Sequence, residues 1–233
     1  MTEIRKRTYR TFVHREAALR ICCDQFDVVA AEVVRQRQIL GDYIRHHPEF
    51  QSALEPIELR AEAPEIARRM AWAARLAGVG PMAAVAGAVA QFAAEAALSA
   101  GAPEAIVDNG GDIYLKASEP VVVCLGTGTA KLADRLAFLL EPGDTPISIC
   151  SSSGKMGHSM SFGLCDLATI VAQDGALADA AATQAGNLVK TVDDVDAALE
   201  RIMRIPGLDG VLLVKDDRIG LTGRLPQLIK TQP

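Results

Sequence analysis

Aromatic residues are scarce in this chain of 233 residues, at 4% in all. A core must therefore be built from Ala, Val, Ile and Leu, and a hydrophobic share of 49% supplies them. With 23% charged residues this is an ordinary globular mixture, which excludes a mainly disordered chain or a collagen. The five cysteines, Cys22, Cys23, Cys124, Cys150 and Cys165, are odd in number and show no C-x-x-C spacing. No zinc site and no disulfide framework is expected; reduced thiols in a cytoplasmic protein fit better. The N-terminus has no apolar stretch behind its basic residues, so no secretory signal is expected. The net charge of -5 argues against nucleic acid as a partner, because phosphate-backbone affinity needs clustered Lys and Arg. The local cluster Arg5, Lys6, Arg7 and Arg10 reads as solvated charge on an edge strand.

Long uncharged runs are also rare. Residues 76–94 form one, dominated by Ala and broken by Gly78, Gly80 and Pro81. A spanning helix needs about 20 mostly apolar residues. A buried helix of a soluble protein explains this run better than a membrane span.

What is present reads as α+β. Residues 4–13 and 17–23 suggest a hairpin. Val29, Val33, Ile39, Leu40 and Tyr43 recur near the helical period and predict a helix over 28–46, limited by Pro48. A second helix opens near Pro64 and runs to about Ala77, and an Ala-rich third runs over 82–99. Strands over 105–108 and 113–116 flank Asn109-Gly110-Gly111-Asp112, whose Asn and Gly tolerate the positive φ of a tight turn. Further strands are expected over 121–125, 146–150 and 167–172, and a closing hairpin over 211–221. Helices are expected over 175–185, ended by Gly186 and Asn187, and over 192–203 with Asp193 or Asp194 near its start. The stretch 151–163 reads as a loop. Strands, then three helices, then strands mixed with two helices is not a regular βαβ alternation. No repeat or linker divides the chain, so a single domain over 1–233 is expected.

Several motifs fail on inspection. Gly157-His158-Ser159-Met160-Ser161 lacks the last glycine of a nucleophile elbow, and no histidine follows His158 to complete a triad. Ser152-Ser153-Gly154-Lys155 is formally S-x-x-K, but its usual companion motifs are missing. Gly126-Thr127-Gly128-Thr129-Ala130-Lys131 fits neither glycine-rich phosphate fingerprint and reads as a plain loop.

Two candidates remain. Asp179 and Thr183, four apart on a helix, share a face. A carboxylate and a hydroxyl suit a hard cation such as Mg²⁺. The alternative is an Asp near a helix start and a Thr bonding back to its own helix. His158, in a glycine-flanked loop, is a candidate proton carrier.

Taken in order, the segments 86–92, 106–113 (Ile-Val-Asp-Asn-Gly-Gly-Asp-Ile), Ser153-Gly154 with His158, and Ala178-Asp179-Ala180-Ala181-Ala182-Thr183 resemble the ApbE-like family of flavin transferases. The resemblance covers about residues 80–190. It implies an antiparallel sheet with packed helices in an ApbE-like (T-fold-related) α+β architecture. It further implies Mg²⁺ held by Asp179 and Thr183, with a backbone carbonyl near Ala86 or Gly87. FAD or FMN contacts would fall at Asn109, Gly110, Gly111, Asp112, Ser153 and Gly154, and His158 would be catalytic. A flavin or nucleotide ligand and a protein acceptor are the implied partners. Ala90 stands where the family carries a lysine, and no "DP" follows His158. A non-catalytic ligand-binding module on the same scaffold is the alternative. The Ala-rich helices suit packing within one chain or across a homodimer.

Overall fold

The computed structural model describes residues 7–126, 136–153 and 164–230. Among these, eleven strands and six α-helices form three layers. The central layer is an eight-stranded antiparallel sheet. Its strands are β1 (Arg10–His14), β2 (Ala17–Cys22), β3 (Ala105–Asn109), β4 (Asp112–Lys116), β7 (Ile147–Ser152), β8 (Leu167–Ala172), β9 (Leu208–Lys215) and β10 (Arg218–Gly223), in the order β1-β2-β3-β4-β7-β8-β9-β10. A second sheet of three strands, in the order β11-β6-β5, comprises β5 (Val121–Cys124), β6 (Leu136–Leu140) and β11 (Gln227–Lys230). The helices are α1 (Phe26–His46), α2 (Glu49–Ser52), α3 (Glu65–Ala77), α4 (Val85–Ser99), α5 (Gly175–Leu188) and α6 (Val195–Met203).

Alternation along the central strands sets the layering, because successive side chains point to opposite faces. Val107 and Tyr114 pack with the helices, whereas Ile106, Leu115, Ile149 and Leu167 pack with Val121, Val123 and Phe138 of the small sheet. Both faces of β7 and β8 are covered, so these strands carry near-continuous apolar runs.

The expected α+β class, the β1–β2 hairpin, the turn at Gly110-Gly111 and the closing hairpin are all present. The uncharged run becomes a short 3₁₀ turn, Pro81–Ala84, followed by α4. The stretch Pro81–Ser99 is apolar and long enough to cross a membrane by composition. Here α4 lies against α1, α5, β3 and β4, with Ala88, Val89, Ala90, Ala93, Ala94 and Ala97 buried.

Several expectations are corrected. α5 does not stop at Gly186 and Asn187 but runs on to Leu188, because it is packed against β7, β8, α3 and α4 along its length. Tertiary packing of this kind outweighs the weak helix propensity of two residues. The helix expected from residue 192 begins as a 3₁₀ turn, where Asp194 accepts from the backbone N–H of Thr191 at 2.7 Å. The loop expected from Ser151 begins later, since β7 extends through Ser152. β6 and β11 were not anticipated.

Arg7 is not a solvated charge. Its guanidinium grips both carboxylate oxygens of Glu104 at 2.8 and 2.7 Å and reaches the carbonyls of Glu119 and Pro120, with its side chain 5% exposed. β1 itself is an edge strand, as expected.

Candidate functional site

The site begins with a hairpin. Asn109 and Asp112 face each other across β3 and β4, leaving Gly110 and Gly111 as a two-residue turn. Both glycines have positive φ, 73° and 105°, which twists the turn to match the strands. Asp108 braces it by accepting the Gly111 N–H at 2.9 Å. Asn109 donates from Nδ2 to the carbonyl of Ala86 at 3.1 Å, tying the turn to the first turn of α4.

Asp179 arrives from α5. Its Oδ2 accepts the backbone N–H of Gly87 at 2.9 Å, and the N–H of Ala86 also favours its charged form. The first N–H groups of a helix lack partners within it, and Ala84 at the N-cap of α4 has no side chain to serve them. Asp179 thus caps α4 from another helix, 92 positions away in sequence. The approach depends on glycine. A Cβ on Gly87 would stand 2.1 Å from the Gly175 carbonyl oxygen and 2.9 Å from Cβ of Asp179. Gln91 returns the support, accepting the Gly175 N–H at 2.7 Å, and Asp174 caps α5 through Leu177 N–H at 2.8 Å.

Beneath this crossing lies the helix-facing side of β4 and β7. Asp112 pairs in register with Cys150 there. Part of Asp112 reaches the surface, but its Oδ1 is enclosed with no hydrogen-bond partner. Burial raises the Asp112 carboxyl well above its ordinary range, and the neighbouring Asp179 charge raises it further. Burial pushes Asp179 up to about 7, against the pull of the Gly87 and Ala86 N–H groups. Cys150 is also driven up, first by burial and then by the two carboxylates, so it is a neutral thiol.

Asp179, Asp112, Asn109 and the Gly110-Gly111 turn therefore lie close together at the start of α4. Thr183 is buried one turn further along α5. Ser153 is buried just beyond β7. Gly154 and His158 lie outside the described residues, as do the rejected 157–161 motif and most of 126–131. Sequence spacing did not show that Asp179 lies close enough for its charge to act on Asp112, nor the Gly87–Gly175 contact. The only signals for the latter were Gly87 inside one helical pattern and Gly175 at the start of the other.

A family model described as AbpE bacteria matches residues 3–219. The chain belongs to the ApbE-like family. A UPF0280 protein of Methanocella arvoryzae is 41% identical over 218 residues, spanning 93% of this chain and 89% of the relative. A UPF0280 protein of Archaeoglobus fulgidus is 39% identical over 229 residues, spanning 93% and 92%. Among solved structures, the flavinyl transferase ApbE of Pseudomonas stutzeri superposes with a TM-score of 0.59 at 11% identity, covering 94% of both chains. The ApbE protein of Thermotoga maritima gives 0.55 at 13% identity, covering 94% of this chain and 97% of the other. These similarities establish the ApbE-like fold over almost the whole chain.

Proposed function

We infer that this ApbE-like protein is a Mg²⁺-dependent enzyme acting on a flavin or another nucleotide pyrophosphate. The observation that carries the reading is the pairing of Asp179 with Asp112. Two carboxylates share one enclosed site, and one of their oxygens has no hydrogen bond. Left alone, such a pair repels and retains protons. A divalent cation would relieve the repulsion between the two carboxylates, and the groups offered to it are all oxygen, which suits Mg²⁺.

In this reading Asp179, Thr183 and the Ala86 carbonyl hold the cation. When bound, Mg²⁺ would neutralise phosphate charge and so assist attack at phosphorus. Asn109 fixes the Ala86 carbonyl in place. The Gly110-Gly111 turn brings backbone close to the ligand without side-chain obstruction, and a Cβ on Gly110 would meet open space. Asp112 holds negative charge, or its proton, against the same centre. Ser153 and Gly154 contribute further ligand contacts, and His158 handles the proton of the attacking group near neutral pH. The flavin, and transfer of FMN to a protein acceptor, are drawn from the flavin transferases that share this fold.

A second reading is a non-catalytic flavin-binding module. It is favoured by Ala90, fully buried in α4 where the family carries a lysine. The purified protein mixed with FAD, with and without Mg²⁺, separates the two. Metal-dependent release of FMN or its transfer supports the enzyme. Retention of intact FAD, unchanged by Mg²⁺, supports the module.

A further inference from the structure

The central sheet ends on two edge strands, β1 and β10. An edge strand exposes a row of unpaired backbone N–H and C=O groups, and charged residues or proline are the usual guard against pairing with another chain. β1 is guarded. Arg10 opens it and Arg15 follows it, so self-pairing in the antiparallel sense gathers arginines at both ends. β10 is not guarded in this way. Its run Ile219-Gly220-Leu221-Thr222-Gly223 carries neither charge nor proline. Arg218, ahead of that run, is turned to Asp196 of α6 at 2.5 Å.

The apolar row along one face of the sheet is also unfinished at this edge. Leu221 and Ile219 pair in register with Leu212 and Val214 of β9. Leu212 and Val214 are fully buried in the cluster beneath the small sheet, whereas Ile219 and Leu221 are 37% and 55% exposed. The cover stops one strand short. The opposite face of β10 is closed, since a Cβ on Gly220 would stand 2.6 Å from Val195 and 2.8 Å from Leu199 of α6. What stays open is the edge itself together with one apolar face.

We propose that β10 is the contact through which two copies of this chain pair as an antiparallel dimer, joining their central sheets. A two-fold contact presents the same patch from both sides, so the strand must complement itself. It does so in one register. With Gly220 opposite Gly220 of the second copy, Ile219 of each chain lies opposite Leu221 of the other, and Arg218 lies opposite Thr222. The row then runs from Val214 and Ile219 to Leu221 and Leu212 of the second copy, apolar throughout. Cross-strand pairs of this kind are the unit of sheet stabilisation. The same register carries Asp216 of each copy toward Arg224 of the other, opposite charges on side chains 62% and 82% exposed. Sliding the register by two residues one way sets Arg218 against Arg224, and sliding it the other way sets Asp217 against Leu221.

Sedimentation velocity on the full chain, taken to about 100 μM because a short edge suits micromolar affinity, tests the contact. A species of twice the chain mass is expected to grow with concentration. Leu221→Lys puts a guarding charge into the open row and should weaken the dimer by about tenfold or more. Val13→Lys, at an exposed position on the β1 edge, should leave the dimer intact. Circular dichroism checks that both variants fold. Hydrogen exchange on the wild type reads the backbone directly: β10 amides should slow as the concentration rises, and β1 amides should not. A monomer throughout, a dimer that Leu221→Lys leaves intact, or protection that grows at β1 instead of β10 would overturn the proposal.

Discussion

At the scale of single residues, Asp179 has two employments that pull in different directions. As a cap it is best charged, since two backbone N–H groups point at it. As a buried group beside Asp112 it is best neutral. Burial prevails, and its folded pKa stands near 7 against roughly 3.9 in an unfolded chain. The sign follows from linkage. Above about pH 7 both states carry the charge, and its burial weighs fully against folding. As the pH falls toward about 4, the folded protein takes up a proton that the unfolded chain does not, and stability rises. Metal-free protein should therefore gain resistance to urea between about pH 7.5 and pH 5.5, relative to the Asp179→Asn variant. A wild type and variant that move in parallel across that window contradict the assignment. A metal ion competes with the same proton, so Mg²⁺ affinity should fall over the same range.

At the scale of elements, the α4–α5 crossing organises the site. Gly87 and Gly175 let the two backbones touch, and Asp179 and Gln91 cross-cap what the contact exposes. Gly87→Ala forces a Cβ into the Gly175 carbonyl, and neither backbone can yield without moving a helix. Overpacking of this kind costs about 1–3 kcal/mol, and the upper end is expected here. Denaturant unfolding measures it; an unchanged midpoint would sink the crossing as the organising contact. The β3–β4 hairpin was legible in the sequence because Asn-Gly-Gly-Asp is local turn chemistry needing no tertiary knowledge. β6, Leu-Ala-Phe-Leu-Leu, was not, since a short apolar run without alternation carries no period to read. β11 is only four residues and pairs with β6 alone. The extension of α5 past Gly186 was illegible for the opposite reason: local signals said stop, and packing on both sides overrode them.

At the scale of the whole molecule, distant segments are held by a few polar clips across an otherwise aliphatic core. Arg7 joins the residues before β1 to Glu104 and to the turn before β5. The reading of Arg7 as solvated charge failed because nothing near it in sequence announces Glu104, 97 positions on. Arg7→Ala leaves Glu104 enclosed with a backbone N–H from Ser118 but without its guanidinium. A loss of about 3 kcal/mol is expected from breaking one side of a mostly buried pair, read from the urea midpoint. The candidate site shows the same mixture of legible and hidden. Asp179 and Thr183 stood out by helical spacing, and Asn109–Asp112 by turn chemistry. That Asp179 and Asn109 meet at Gly87 and Ala86 was hidden, because the layering makes the contact, with α4 and α5 lying on the helix-facing side of β4 and β7.

The most direct test of the central claim, that the Asp179–Asp112 centre is a cation site serving a nucleotide, is a calorimetric titration of Mg²⁺ into the protein mixed with FAD. It is run at about pH 7 in two buffers of different ionisation enthalpy, for the wild type and for Asp179→Asn. Saturable binding with release of protons is expected in the wild type, because the cation displaces the proton that the carboxylate pair retains. The variant, confirmed as folded by circular dichroism, should lose that binding. Equal Mg²⁺ binding by both proteins, or none by the wild type, would contradict the account.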